Sequence, residues 1–495
     1  MADKKIAKKK WLSVLILFAI VLTGIQFIRP SLHDPAARAT LTTPPEVTEI
    51  LQRACYDCHS NETKLKWFDE IAPAYWLVAD HVKKGRKGLN FSHWDSLAKP
   101  AQTAVLFESV NQVLAGAMPL SSYTLLHSDA VLSDKDRLVL KNYLYTLVSV
   151  QPAAPARIAA ADEEYAAWIA AKGGMMDGGV GSAAGGTVSG PAKVQPVANG
   201  IDFPADYKNW EAISTTERFD NNSMRVIYGN PIAVKAIKDH QTNPWPDGAT
   251  FAKVAWEQLR DSAGISRPGK FIQAEFMIKD SKKYAATYGW GWARWRGTSL
   301  TPYGKNASFT TECMNCHQPL RDNDYVFTEP QNPDQAASLA GAGSGAAANS
   351  SSNPLEGKVI SSRIDKVRQT MSTLYGNDIA VGYAKSGVGS GGTGSSVSGG
   401  GVSAVGGVRA GYSYPAGSVL TLVTWSQQAD PHWFGANTPA QIQSVEIVRF
   451  PGDAAVRSSY ERYAGSPLRK TTGDDAKMVG ERMGDISRMR ASVIP

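Results

Sequence analysis

Two pentapeptides, Cys55-Tyr56-Asp57-Cys58-His59 and Cys313-Met314-Asn315-Cys316-His317, contain all four cysteines of this 495-residue chain. Any fold it adopts must therefore present, twice, a short turn with two thiols on one side and an imidazole directly after them. That spacing suits the addition of two thiols across the two vinyl groups of a haem, with the adjacent His reaching the iron as an axial ligand. A zinc site or a redox disulfide also uses Cys-x-x-Cys. Zinc would call for a second ligand pair nearby, and neither pentapeptide has one within several dozen residues. A thioredoxin-like motif has no need of a His directly after the second Cys, twice. The reading is two covalently attached c-type haems and a redox role.

The first ten residues carry Lys4, Lys5, Lys8, Lys9 and Lys10, and an uncharged apolar run follows from Trp11 to Ile28. A run of that length predicts one membrane-spanning helix with the lysines on the cytoplasmic side. A cleaved signal peptide is the competing reading. The run is long for that, and the nearest small-x-small site, Ala37-Arg38-Ala39, lies well downstream. Both readings export the rest of the chain, and the expectation is a single-pass protein of the bacterial inner membrane with its bulk in the periplasm. The net charge of +7 is mild for the length, and no basic stripe is interleaved with aromatics, so nucleic acid is not an expected partner.

A chain this long suggests several domains, and three low-complexity stretches divide it: Gly173–Gly190, Ala336–Asn353 and Ser386–Gly407. A Gly/Ser linker of about 20 residues is a coil with an end-to-end distance of roughly 25 Å. The chain also repeats itself. Met224–Val234 returns as Met371–Val381, Trp245–Trp256 as Tyr414–Trp425, and Phe271–Met277 as Ile442–Val448. Internal similarity of this kind implies two copies of one domain, with Ser386–Gly407 a long, disordered insertion between the helix and the first strand of the second copy.

From Pro44 to Val150 the apolar residues recur at helical spacing, as in Leu106, Val110, Val113, Leu114 and in Leu140, Tyr143, Leu144, Leu147. After Trp245 the period becomes two: Thr250, Ala252, Val254 and Trp256 on one face, Phe251, Lys253 and Ala255 on the other. Phe271–Ile278, Trp290–Trp295, Val419–Trp425 and Val445–Phe450 read as further strands, giving a mostly antiparallel β second half with each copy led by a helix. The expected organisation is a lysine-flanked anchor (1–30), an all-α haem domain (31–160), a linker (161–200), a β-rich haem domain (201–335), a linker (336–354) and a degenerate repeat (355–495).

The residues Cys55–Thr63, Ile71–Pro73, Trp76–Val78, Leu89–Ser92 with Trp94, and Met118–Leu120 with Tyr123 and His127 resemble the small c-type domain of exported bacterial proteins known as the haem-binding domain family. That resemblance implies a helical fold around one haem, with no assigned reaction. His59 is the expected proximal ligand and Met118 the expected ligand on the other side. His/Met ligation raises the potential and leaves no open position, which suits electron transfer. A packing role is the alternative for Met118, and His81, His93 and His127 are rivals that read as structural or surface residues.

Phe203–Trp210, Trp245–Gly248, Lys279–Ser281, Gly289–Trp292, Cys313–His317 and Asp324–Thr328 resemble cytochrome P-460. The resemblance implies an exported, β-rich and often dimeric c-type cytochrome. In that family a lysine is additionally bonded to a meso carbon of the porphyrin, the iron keeps an open position, and hydroxylamine is oxidised. Relatives without the lysine bond bind nitric oxide. Lys253 stands where the family's cross-linking lysine is expected. A lysine inside an otherwise apolar strand asks for a cause, and burial would supply the neutral amine that bond formation needs. A solvent-facing strand-edge lysine is the alternative. Glu275, the only carboxylate of its strand, is expected on the same side as Phe271 and Met277 and could accept protons from a bound amine. Its counterpart Glu446 lies in a copy without a haem motif, which favours a structural role. Trp290 and Trp292 read as core.

The second copy has no cysteine and carries Leu422 in place of Lys253, while His432 stands beside Trp433 and Phe434 as a packing or surface residue. It is expected to be an inert intrachain partner, a pseudo-dimer, of the second haem domain. The function expected from these readings is oxidation of hydroxylamine or a similar small nitrogen compound, with electrons passed through the first haem to periplasmic or membrane carriers. A substrate-free electron-transfer cytochrome and a nitric oxide binding protein are the alternatives.

Overall fold

A computed structural model describes residues 2–32, 39–148, 151–176, 194–331, 357–386, 414–451, 457–473 and 475–495. The chain forms two compact units, Met1–Val148 and Ser149–Pro495. The low-complexity segments 336–353 and 387–407 and most of 173–190 lie outside the described residues.

The first unit is helical: α1 (Ala2–Ile25), α2 (Pro45–Ala54), α3 (Tyr56–His59), α4 (Ala74–Gly88), α5 (Lys99–Leu114), α6 (Ser121–Thr124) and α7 (Asp134–Leu147). Among the described residues no helix is long and apolar enough to cross a membrane, so the predicted span from Trp11 to Ile28 is not supported. Its helix stops at Ile25 because polar Gln26 turns its amide to Ala72, accepting from that backbone N–H at 2.8 Å and donating to its carbonyl at 3.1 Å. The core is built by Val47, Ile50 and Leu51 of α2, Ala79 and Val82 of α4, Leu106, Phe107 and Val110 of α5, and Leu140 and Leu144 of α7. Leu114, predicted on the same face of α5, is 40% exposed at the helix end. Helix α7 opens on a capping box in which Ser133 and Asp136 exchange side-chain and backbone bonds.

The second unit begins before the predicted boundary at 160–200. Helix α8 (Pro155–Met176) belongs to it, with Tyr165 and Trp168 buried in its core and the Trp168 indole donating to the Ile494 carbonyl. The repeat is visible strand by strand. The first copy runs β1 (Glu211–Arg218), β2 (Ser223–Gly229), α9 (Pro231–Lys238), β3 (Thr250–Arg260), β4 (Ile265–Lys279), β5 (Trp290–Arg296), β6 (Thr301–Pro302) and α10 (Thr310–His317). The second runs β7 (Lys358–Asp365), β8 (Thr370–Gly376), α11 (Asp378–Ser386), β9 (Val419–Ala429), β10 (Ala436–Arg449), β11 (Ser459–Ala464), β12 (Arg469–Lys470) and α12 (Ala476–Ser487).

Each copy is thus led by two strands, not by a helix, and the insertion precedes the third strand of the second copy. Met224–Gly229 is short and almost wholly apolar, a pattern in which strand and helix look alike until β1 and β3 pair with it on both sides. Both copies carry a bulge at the same place, between Ala212 and Ser214 and between Val359 and Ser361. Asn230 and Asn377 repeat one device: the side chain accepts from the N–H of Ala233 or Ala380, capping the helix, and donates to the carbonyl of Gly248 or Gly417.

The strands β1-β2-β3-β4-β7-β8-β9-β10 close on themselves, because β4 pairs with β7 and β10 returns to β1. Each seam joins two residue pairs, Ile265↔Asp365 with Ser266↔Ile364, and Glu217↔Asn437 with Arg218↔Ala436. One face of this β-barrel is a single core shared by both copies, including Tyr228, Trp256, Phe276 and Trp295 with Tyr375, Val423 and Trp425. The opposite faces bury separate clusters, one in each copy.

Candidate haem centres

In the first unit, the segment around Cys55–His59 is wedged between α2 and α4. Tyr56 stacks on Phe91 with centroids 5.6 Å apart, and the His59 imidazole meets the same ring edge-on at 6.5 Å. Nδ1 of His59 donates to the Leu89 carbonyl at 3.1 Å, which leaves the Nε2 lone pair for a metal. Asp57 ties the turn down by accepting from the Tyr123 hydroxyl at 2.6 Å and the Lys64 N–H at 2.8 Å. Burial pushes the Cys55 thiol up to about 12 and Cys58 to about 11, so both sulfurs are neutral. His127 has no nitrogen to spare, with Nε2 on Asp69 at 2.9 Å and Nδ1 on the Tyr123 carbonyl at 3.0 Å. His93 contacts Asn61 at 3.4 Å. Met118 lies in the loop after α5, 36% exposed.

Gly85 lets α4 approach this turn. A Cβ there would stand 2.5 Å from the Cys58 carbonyl oxygen and 3.2 Å from Cys58 Cβ. Gly85→Ala is expected to push α4 off the turn at a cost of about 1–3 kcal/mol, of which the better helix propensity of Ala returns only about 1 kcal/mol. Thermal unfolding checks this, and a midpoint above that of the parent would refute the close approach.

In the second unit, Cys313–His317 forms the end of α10, which packs against β5. His317 Nδ1 donates to the Tyr325 carbonyl at 2.6 Å, the same arrangement as in the first unit. The carbonyl is held by its neighbour Asp324, whose carboxylate pairs with buried Lys279 at 2.6 Å and accepts from the Trp245 N–H at 2.9 Å. Trp292 and Phe327 flank the His317 ring at 4.6 and 4.8 Å. Burial brings His317 down to about 4 and raises Cys313 to about 11.

Beside these groups lies an ionic cluster on the same sheet face. Lys253 of β3 stands directly opposite Glu275 of β4, which stands opposite Arg294 of β5. Lys253 Nζ pairs with Glu275, and Arg294 approaches the same carboxylate at 2.9 Å. Arg225 of β2 joins them electrostatically, and the fields of Lys253, Glu275 and Arg294 reach both Cys313 and His317. Burial lowers the Lys253 ammonium to about 8 against the opposing pull of Glu275. Burial also lowers Arg225 to about 10. For Glu275 burial acts upward, but Lys253, Arg294 and Arg225 outweigh it and hold the carboxyl well below its ordinary range.

Glu275 and Met277 face this cluster, but Phe271 does not. The register shift that sets Ala255 against Gln273 and Trp256 against Phe271 inserts Ile272, so Phe271 turns into the shared core. Trp290 and Trp292 are buried on the site face. Arg225, Arg294, Phe327 and the Tyr325 carbonyl were missed from the sequence. Arg225 carried a usable signal, a charge inside the apolar run Met224–Gly229, the criterion that singled out Lys253.

The second copy treats the same position differently. Glu446 matches Glu275, but the lysine position holds buried Leu422, and Arg482 of α12 reaches across to grip Glu446 at 2.5 and 2.9 Å while Tyr460 donates to it at 2.6 Å. His432 pairs with Glu329 at 2.7 Å.

These residues fit haem. Two thiols and an imidazole with a free Nε2 converge at each turn, and buried Trp292 Nε1 and Arg225 Nε beside the second have no partner. None of the four cysteines is in a disulfide, and among the described residues no three His, Cys, Asp or Glu side chains are arranged to hold a metal ion.

Comparison with protein families agrees. Residues 20–146 match the haem-binding domain family and residues 204–328 match cytochrome P460. A helical region that matches a haem-binding domain is followed by a β-barrel region that matches cytochrome P460, which supports haem binding by this chain. A search of curated proteins finds no match.

Proposed function

We propose that this chain is an exported dihaem cytochrome in which each Cys-x-x-Cys-His turn carries one covalently bound haem, and that the second site oxidises hydroxylamine or a similar small nitrogen compound. The observation that carries this reading is the position of Lys253, on the sheet face that flanks His317 and inside a half-buried ionic cluster. The second haem, when bound, supplies an iron that accepts electrons from the substrate. His317 would hold the iron through Nε2, its Nδ1 being committed to Tyr325. Lys253, whose amine is deprotonated in part near neutral pH, is the residue that would carry a bond to the porphyrin. Glu275, held ionised by its cations, orients Lys253; a carboxyl so strongly depressed is a weak base, so its role at the site is positioning.

In the first unit His59, with Met118 as sixth ligand, forms a closed site suited to passing the electrons on to periplasmic or membrane carriers. The exposed apolar residues of α1, Trp11 to Val21, are the segment that associates with the inner membrane. The segment from Lys358 to Pro495 serves as an intrachain partner that closes the barrel.

Optical spectra of the purified, haem-loaded chain, oxidised and reduced, test this beside Lys253→Ala. A ferrous band far to the red of ordinary c-type haem, lost in the variant, together with hydroxylamine-dependent reduction of an added acceptor, is the expected result. Ordinary c-type bands in both proteins and no turnover would leave electron transfer or reversible nitric oxide binding.

A further inference from the structure

The copy without a haem motif reaches into the haem site of the other. Its loop between β9 and β10 carries Trp433, which is 7% exposed. The Trp433 ring meets Phe327 edge-on with centroids 5.6 Å apart, and Phe327 in turn meets the His317 imidazole edge-on at 4.8 Å. Trp433 is itself immobilised. Its indole N–H donates to Asp220 Oδ2 at 3.0 Å, and the Arg218 guanidinium lies over its ring at 4.2 Å while donating to the same buried Asp220. Glu329, two residues beyond Phe327, is fastened to His432 of the same loop. The Trp433 end of the contact is therefore anchored by the first copy, and the Phe327 end by the second.

We propose that Trp433 is a positioning residue for the haem site at His317, acting through Phe327. The Tyr325 carbonyl selects the tautomer of His317, but a single hydrogen bond leaves the ring free to swing about it. Two rings, Trp292 tilted against the imidazole and Phe327 meeting it edge-on, restrict that freedom. Phe327 keeps its place because Trp433 backs it. The orientation of an axial imidazole sets the electronic asymmetry at the iron, so this contact between copies tunes the site. The copy without cysteines is then a working part of the haem site, and not only a partner that closes the barrel. The inference rests on His317 being the axial ligand.

The test uses the full haem-loaded chain with Trp433→Leu and Trp433→Phe, read by electron paramagnetic resonance of the ferric state and by redox titration. In Trp433→Leu the signal of the His317 haem is expected to shift and broaden and its midpoint potential to move. The first haem, an internal control, should be unchanged, and covalent haem content should stay at the parental value. Trp433→Phe should recover most of the parental signal, a rescue that a purely structural role for the indole would not predict. Identical signals and potentials in Trp433→Leu and parent, at equal haem content, would overturn the proposal. If Trp433→Leu does not fold, Phe327→Leu interrogates the same contact, and an unchanged signal there overturns it equally. A parental signal in His317→Ala would instead show that His317 is not the ligand, a failure of the underlying reading.

Discussion

Replacing Cys55 and Cys58 together by Ser will lower the covalently bound haem from two per chain to one, replacing Cys313 and Cys316 will do the same, and the fourfold variant will hold none. The expectation is all-or-none because each turn supplies both thioether bonds to its own haem, the chain has no other cysteine, and Lys253 can bond only to a haem that the second turn has placed beside it. The two double variants should also differ optically. The chain without Cys313 and Cys316 should show ordinary c-type bands alone, and the chain without Cys55 and Cys58 should retain any feature that depends on Lys253. Intact mass and haem staining of denatured protein measure the stoichiometry. Unchanged haem in either double variant would refute the assignment of that turn, and stoichiometric zinc in the parent would restore the metal-site reading.

Glu275→Gln will destabilise the second unit by about 3–5 kcal/mol, the usual cost of leaving buried charges without their counter-ion. The variant keeps the shape of the side chain but removes the only negative charge among Lys253, Arg225 and Arg294. With the side chain 15% exposed, water offers little relief. The midpoint of thermal unfolding should fall by roughly 5–15 °C. The pH dependence has a definite sign. The folded-state pKa of Glu275 is depressed from the ordinary 4.5, so its contribution is complete above that value and is lost as pH falls below it toward the folded pKa. The difference in stability between parent and variant should therefore shrink below about pH 4.5, and it should shrink again as pH rises through about 8, where Lys253 loses the charge that Glu275 balances. A variant within 1 kcal/mol of the parent at pH 7, by denaturant titration, would show that the cluster does not depend on its carboxylate.

Much of this arrangement was legible in the residues. Lys253 was marked by its charge in an apolar strand, and the strand alternation placed it opposite to Trp256, as observed. The repeat of Asn230 and Asn377 pointed to two copies, and the structure gives both the same cap, the same bulge and the same strand order. Phe271 was misplaced because a bulge reverses alternation, and one extra residue in β4 leaves no mark in composition. Arg294 became a partner of Glu275 only through the register of β4 with β5, and Gly85 became a contact of Cys58 only when α4 was laid across the turn.

By itself the sequence determined the chemistry that depends on neighbours along the chain. Two thiols and an imidazole within five residues read as a haem-attachment turn wherever the turn is placed, and helix caps and strand periods act over a few residues. Only the tertiary structure decided what surrounds those turns: the carbonyls that select each imidazole tautomer, the cations gathered on Glu275, the closure of two copies into one barrel, and the reach of Trp433 to the wall behind His317. These depend on pairing between strands and loops up to about two hundred residues apart, as Asp220 and Trp433 are. Coulomb and packing energies act on distance in space, which separation along the chain does not encode.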